Sequence, residues 1–147
     1  MNNIFAKEVK AIYQDSEFIT PSQIRSSKDS AKYLKTVFPV QLDHKEAFVS
    51  LYLNRANKVI GYSVISIGGI SGTVVDLKLL FQSALICNAS AIIMCHNHPS
   101  GNLNPSNADI NLTNKAVKGG QFLDLPVLDH IILTTNSYYS FADDGLI

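Results

Sequence analysis

Apolar positions recur along this 147-residue chain in short blocks that switch between strand-like and helix-like spacing. Residues 9–13 and 18–24, with Pro21 inside the second block, predict extended edge segments, since proline removes a ladder donor. Ser27 is expected to cap a helix running to about Val37 and carrying Ala31, Tyr33 and Leu34. Residues 47–53 and 59–66 are rich in β-branched and aromatic side chains, and the polar 54–58 stretch between them reads as a hairpin connection. After the glycine-rich stretch 68–72, Asp76 caps a helix whose Leu77, Leu80, Phe81, Ala84 and Leu85 share one face, expected to pack on the sheet. Residues 91–95 form an unbroken apolar run too short for a helix, the pattern of a strand covered on both sides. A Pro/Asn/Gly/Ser loop follows, then a helix from Ser106 to about Lys118 closed by Gly119-Gly120. A strand over 127–134 and a short one over 138–141 complete the chain.

This order predicts an α/β fold: one domain with a mixed, largely antiparallel sheet flanked by helices. No repeat or low-complexity linker divides it, so residues 1–26 are read as extended segments packing on a domain that spans 27–147. A hydrophobic fraction of 46% with 16% charged residues supports a sizeable core and excludes disordered and collagen-like chains. Twelve basic residues balance twelve acidic ones, so no global field holds a polyanion, and the scattered Lys and Arg residues form no basic tail. Direct nucleic-acid binding is therefore not expected. Neither a signal peptide nor a membrane span is evident, so the expected location is cytoplasmic, and Cys87 and Cys95 read as reduced thiols packed among apolar neighbours.

The chemistry concentrates in residues 96–109, where His96, His98 and Asp109 follow the buried strand. Residues two apart in extended backbone point to one side, so both imidazoles can meet at one point beyond the strand end. Asp109, in the first turn of the next helix, can join them when the loop folds back. Two neutral imidazoles and a carboxylate suit a single zinc ion, and three protein ligands leave a fourth position for water, the arrangement of a catalytic site. Such a site needs a base to move a proton and a donor for the developing oxyanion, for which Glu46 and Ser106 are the candidates. Glu46 opens the first hairpin strand, and Ser106 lies three residues before Asp109.

The pattern His-x-His, seven residues, Ser-x-x-Asp, here His96, His98, Ser106 and Asp109, resembles that of the JAB/MPN (JAMM) metalloprotease superfamily, a cytidine-deaminase-like fold. His-Asn-His-Pro-Ser-Gly over 96–101, Pro-Ser-Asn-Ala-Asp over 105–109 and Pro-Val-Leu-Asp-His over 126–130 are similar to its bacterial RadC branch. The resemblance covers roughly residue 27 to the C-terminus. It implies a zinc metallopeptidase that cleaves a peptide or isopeptide bond in a peptide or protein substrate. In that family a glutamate on an upstream strand is the general base, which by the match of residues 45–48 is Glu46. RadC proteins usually carry an N-terminal helix-hairpin-helix region, which a chain of this length is not expected to contain. Deubiquitinating relatives carry ubiquitin-gripping insertions, for which there is no sign here, so the substrate does not transfer. The alternative is a non-catalytic RadC-like adaptor for DNA-repair or replication proteins, its metal structural or vestigial.

Each of these residues also has a structural reading. Ser106-x-x-Asp109 is a capping box, which can coexist with a metal role and would orient the site. Glu46 can be an exposed carboxylate at a strand start. His130, in an apolar strand, and His44, in a polar turn, are read as hydrogen-bonded structure and not as ligands. Asp129 can orient an imidazole but is not assigned to the site, and Cys95 reads as core and not as a nucleophile. The contiguous His-Asn-His spelling does not make an HNH nuclease, whose residues are dispersed over a ββα motif. A zinc nucleotide deaminase is rejected because no Pro-Cys-x-x-Cys occurs.

Overall fold

The computed structural model describes residues 22–68 and 74–147. In chain order these form α1 (Ser27–Val37), β1 (Ala47–Leu53), β2 (Val59–Ile67), α2 (Leu77–Ile86), β3 (Ala91–Asn97), α3 (Asn107–Phe122), β4 (Val127–Leu133) and β5 (Tyr138–Ser140). The strands make one sheet in the order β2-β1-β3-β4-β5. β1 pairs antiparallel with β2 and β3, β4 pairs antiparallel with β5, and only β3 and β4 run parallel. The fold is thus a single-domain α/β sheet, mixed and largely antiparallel, as the sequence predicts. Parallel neighbours need a crossover, and α3 supplies it, which sets the start of α3 beyond the end of β3.

Strand alternation divides the core in two. Val49, Leu51, Leu53, Ile93, Cys95, Ile131 and Leu133 pack with Leu34 of α1 on one face. Phe48, Tyr52, Ile92, Met94 and Val127 pack with Leu80 and Ala84 of α2 and Ala116 of α3 on the other. β1 and β3 are buried along their whole length, which explains their continuous apolar runs. The turn between β1 and β2 is held by Asn54, whose Oδ1 accepts from the amides of Ala56 (2.9 Å) and Lys58 (3.0 Å), with Asn57 at φ 54°. No helix among the described residues is long and apolar enough to cross a membrane.

Several local expectations are corrected. The cap of α1 is Ser26, whose hydroxyl accepts from the Asp29 amide; Ser27 is already helical and donates to Asp143 Oδ2 at 2.6 Å. α3 does not stop at Gly119-Gly120 but runs to Phe122. Those glycines serve close packing instead: a Cβ on Gly120 would lie 2.3 Å from the Leu125 carbonyl oxygen, and one on Gly119 3.0 Å from the Phe81 ring. On α2 the buried face is narrower than the sequence suggests, because Leu85 is 53% exposed while Leu80 and Ala84 are fully covered. The expected segments over 9–13 and 18–21 lie outside the described residues, as does most of the 68–72 stretch. Gln23 forms an antiparallel bridge with Lys58.

Candidate metal centre

β3 carries His96 on the α2/α3 face, stacked beside Phe48 (centroids 6.1 Å, 5° between planes), and ends one residue before His98. The loop turns back at once: Gly101, at φ 79°, donates its amide to the His98 carbonyl at 3.0 Å. The Asn102 carbonyl thereby comes 2.7 Å from His98 Nδ1. A carbonyl can only accept, so Nδ1 carries the proton and neutral His98 presents a bare Nε2. α3 then opens on a full capping box. Ser106 Oγ accepts from the Asp109 amide at 3.2 Å, and Asp109 Oδ2 accepts from the Ser106 amide at 2.7 Å and from its hydroxyl at 2.6 Å.

These elements bring the three ligands expected from the sequence together. The candidate ligand atoms of His96, His98 and Asp109 all lie within 4.8 Å of one another. His96 Nε2 is 3.0 Å from His98 Nε2 and 3.2 Å from Asp109 Oδ1, and His98 Nε2 is 3.6 Å from Asp109 Oδ2. Two imidazole nitrogens and a carboxylate facing one another so closely form a donor set that can hold a metal ion, and its chemistry fits zinc. The electrostatics agree. The hydrogen bond to Asp109 raises the His98 pKa against the opposing effect of burial, aided by the Asn102 carbonyl and the Glu46 charge. Burial alone would raise the Asp109 carboxyl, but hydrogen bonds from His96 and His98 outweigh it and hold the group well below the usual carboxylate range. The proton so favoured sits where a cation would.

Glu46, one residue before β1, lines a cleft of about 390 Å³ together with His98 and Ser106. Its position depends on Asn97, which alternation turns to the opposite face from His96. The buried Asn97 amide accepts from the Ala47 N–H at 2.8 Å and donates to the carbonyls of Leu42 (2.9 Å) and Lys45 (2.8 Å). The residue between the two histidines thus ties down the segment that delivers Glu46. Sequence reasoning passed over Asn97, although the period of two already sends its side chain away from the histidines.

Behind His96 lies a second layer. His96 Nδ1 is 2.8 Å from His130 Nε2, and His130 Nδ1 is 2.6 Å from Thr113 Oγ1, whose hydroxyl also reaches the Asp109 carbonyl at 2.7 Å. His130 is fully buried, stacked on Phe141 at 4.7 Å, and burial pushes its pKa well below the ordinary imidazole value. His130 is hydrogen-bonded structure, as expected from sequence, but it is also the residue that orients an imidazole. Asp129 does not: its carboxylate accepts from the His130 amide (2.7 Å), Ser140 Oγ (2.7 Å) and the Ala142 amide (3.0 Å). His44 is exposed, and burial raises the Cys95 thiol pKa well above its ordinary value, as for a core cysteine.

Comparison with known proteins agrees with this geometry. The RadC-like JAB domain family matches residues 24–146. The chain belongs to that family. A UPF0758 protein of Flavobacterium johnsoniae is 42% identical over 143 residues, covering 97% of this chain and 62% of the relative. One from Chlorobium chlorochromatii is 38% identical over 125 residues, 85% of this chain and 55% of the relative. UPF0758 protein YfjY of Escherichia coli is 42% identical over 103 residues, 70% of this chain and 64% of the relative. This RadC-like JAB domain thus spans roughly half to two thirds of the length of the curated relatives it matches.

Proposed function

We propose that the domain is a zinc-dependent hydrolase of the metallopeptidase type, acting on a peptide or isopeptide bond in a peptide or protein substrate. The observation that carries this reading is the convergence of His96, His98 and Asp109, of which His98 lines a cleft together with Glu46 and Ser106. A zinc ion held there, one per chain, would supply Lewis acidity toward a carbonyl oxygen and lower the pKa of a water in its open position. Glu46 takes the proton of the attacking water and delivers it to the departing nitrogen. Ser106 donates its hydroxyl to the carbonyl oxygen as that oxygen gains charge. The donation requires Ser106 to release Asp109 Oδ2, which keeps its bond from the Ser106 amide at 2.7 Å, so the carboxylate stays oriented during the exchange. The balanced net charge favours an extended peptide over a polyanion as the occupant of the cleft.

The test is a screen of peptide and isopeptide libraries against wild type and Glu46→Gln, with and without a chelator, together with elemental analysis of both proteins. The proposal expects one zinc per chain in each protein, and turnover only in metal-loaded wild type. Equal turnover by Glu46→Gln on a verified substrate would remove Glu46 from the mechanism. A partner complex untouched by Glu46→Gln, with no hydrolysis, would favour the adaptor reading.

A further inference from the structure

We infer that the outer edge of β2 is the docking surface for the chain that precedes Ser22, with residues 16–21 adding to the five-stranded sheet as an antiparallel neighbour of β2. Ser22, the first described residue, already lies on that edge. Its carbonyl accepts from the Val59 amide at 2.9 Å, the Ile24 amide donates to the Asn57 carbonyl at 2.8 Å, and Gln23 forms an antiparallel bridge with Lys58. Ile24 is buried in the core on the α1 face, which fixes this line of entry. Traced backward from Ser22 on the same line, the chain runs along β2 from Val59 toward Ile67.

The surface met on that path suits a strand. Among the described residues β2 ends the sheet, and its 9 residues include neither a charge nor a proline, two of the devices that protect an exposed edge. Tyr62, Val64 and Ile67 are 39%, 41% and 54% exposed. They lie opposite Leu51, Val49 and Ala47, as Val59 lies opposite Leu53, so all four share the α1 face despite the two register shifts between the strands. Val59 turns its amide outward to Ser22. Tyr62 and Val64 hold equivalent positions against β1 and therefore turn theirs outward too.

The same alternation sets the register. Ser22 and Ile24 direct their backbone groups at the hairpin, so the even-numbered residues before them do the same, which puts Thr20 beside Tyr62 and Phe18 beside Val64. Ile19 falls on the opposite face, the one that carries Ile60 and Ile65. Pro21 is odd-numbered and directs its missing N–H away from β2, so no ladder bond is lost and the new edge is closed to a further strand. The chain ahead of Ser16 leaves the sheet at the end where the Gly68 amide donates to the Glu46 carbonyl at 2.9 Å.

The test uses the full chain with half-buried Cys87 replaced by serine, Cys95 being buried. Phe18→Cys combined with Val64→Cys should oxidise to an intramolecular disulfide, located by peptide mapping. Ile19→Cys combined with Val64→Cys, whose thiols lie on opposite faces, should do so at least about tenfold more slowly. Hydrogen exchange on the wild type needs no variant to fold: the Tyr62 and Val64 amides should exchange about 10²-fold more slowly than in an unstructured chain. Thr20→Pro, which removes an amide facing β2, should lose that protection, and Thr20→Val, which keeps the amide, should retain it. Three results would overturn the inference: equal oxidation of the two cysteine pairs, unprotected Tyr62 and Val64 amides in the wild type, or a disulfide joining the position-64 thiols of two chains. The last would give this edge to a second copy of the domain.

Discussion

Replacing Asn97 tests whether the side chain between the two histidines positions Glu46. Asn97→Ala removes one acceptor and two donors, stranding the Ala47 N–H and the carbonyls of Leu42 and Lys45 beside a buried strand. At about 1 kcal/mol net for each bond, the loss comes to about 3 kcal/mol, a large share of the 5–15 kcal/mol typical of a domain. Asn97→Asp keeps the acceptor for Ala47 but turns a carboxylate oxygen toward two carbonyls, and should destabilise at least as much. Urea denaturation gives the free energy, and native-state hydrogen exchange gives the location: the Ala47 amide should lose protection more than the amides of β4. His96 and His98 lie on the other face, so zinc content should survive while turnover on any verified substrate falls as in Glu46→Gln. A stability change within about 0.5 kcal/mol, with Ala47 still protected, would show that the three bonds do not hold this segment.

The other predictions concern packing, capping and charge. Gly120→Ala should lower the urea midpoint by the equivalent of about 1–3 kcal/mol because its Cβ meets backbone, whereas Gly119→Ala meets only the Phe81 ring edge and should be nearly neutral. Ser106→Ala breaks the capping box and should cost about 1 kcal/mol in thermal unfolding; if Ser106 serves the oxyanion, kcat should also fall about 10²–10³-fold with zinc still bound. His98→Ala and Asp109→Asn should each abolish stoichiometric zinc in elemental analysis. Burial raises the Asp129 pKa despite its three donors. The folded protein then holds this proton at a pH where the unfolded chain, near about 3.9, has released it. The stability gained from the protonated carboxyl is therefore complete below that value and lost as pH rises through the folded one. Asp129→Asn should flatten this part of the profile relative to wild type, and an unchanged slope in denaturation at a series of pH values would refute the assignment.

Much of the site was legible because it is local. His96 and His98 share a face through the period of two, and Ser106 and Asp109 are linked by helix-start chemistry, so spacing alone brings the ligands together. Glu46 was a candidate from its place at a strand start, but its role came from the resemblance, since its approach depends on the β1–β3 pairing, and no short-range rule supplies a register. The His130 contact was hidden for the same reason: the parallel β3–β4 register places it behind His96, and an apolar strand gives no sign of which neighbour it will face. Helix ends misled in two places. Gly119-Gly120 has the composition of a stop signal, but these glycines answer a steric demand from Leu125 and Phe81 that only the packed structure reveals. At α1 two adjacent serines compete for the cap, and the second is engaged by Asp143 from the far end of the chain.

His96, His98 and Asp109 belong to one uninterrupted stretch of polypeptide, and this bears on how zinc and folding are linked. A denatured molecule retains the same three groups at the same short contour separation and so keeps a measurable attraction for the ion. The increase in melting temperature with added zinc should therefore level off, and the height of that plateau measures how much better the native arrangement grips the ion than the loose chain does. Residues remote in sequence, Glu46 and His130 foremost, have no counterpart in that loose complex. A peptide containing only this stretch would be expected to capture zinc weakly and to hydrolyse nothing.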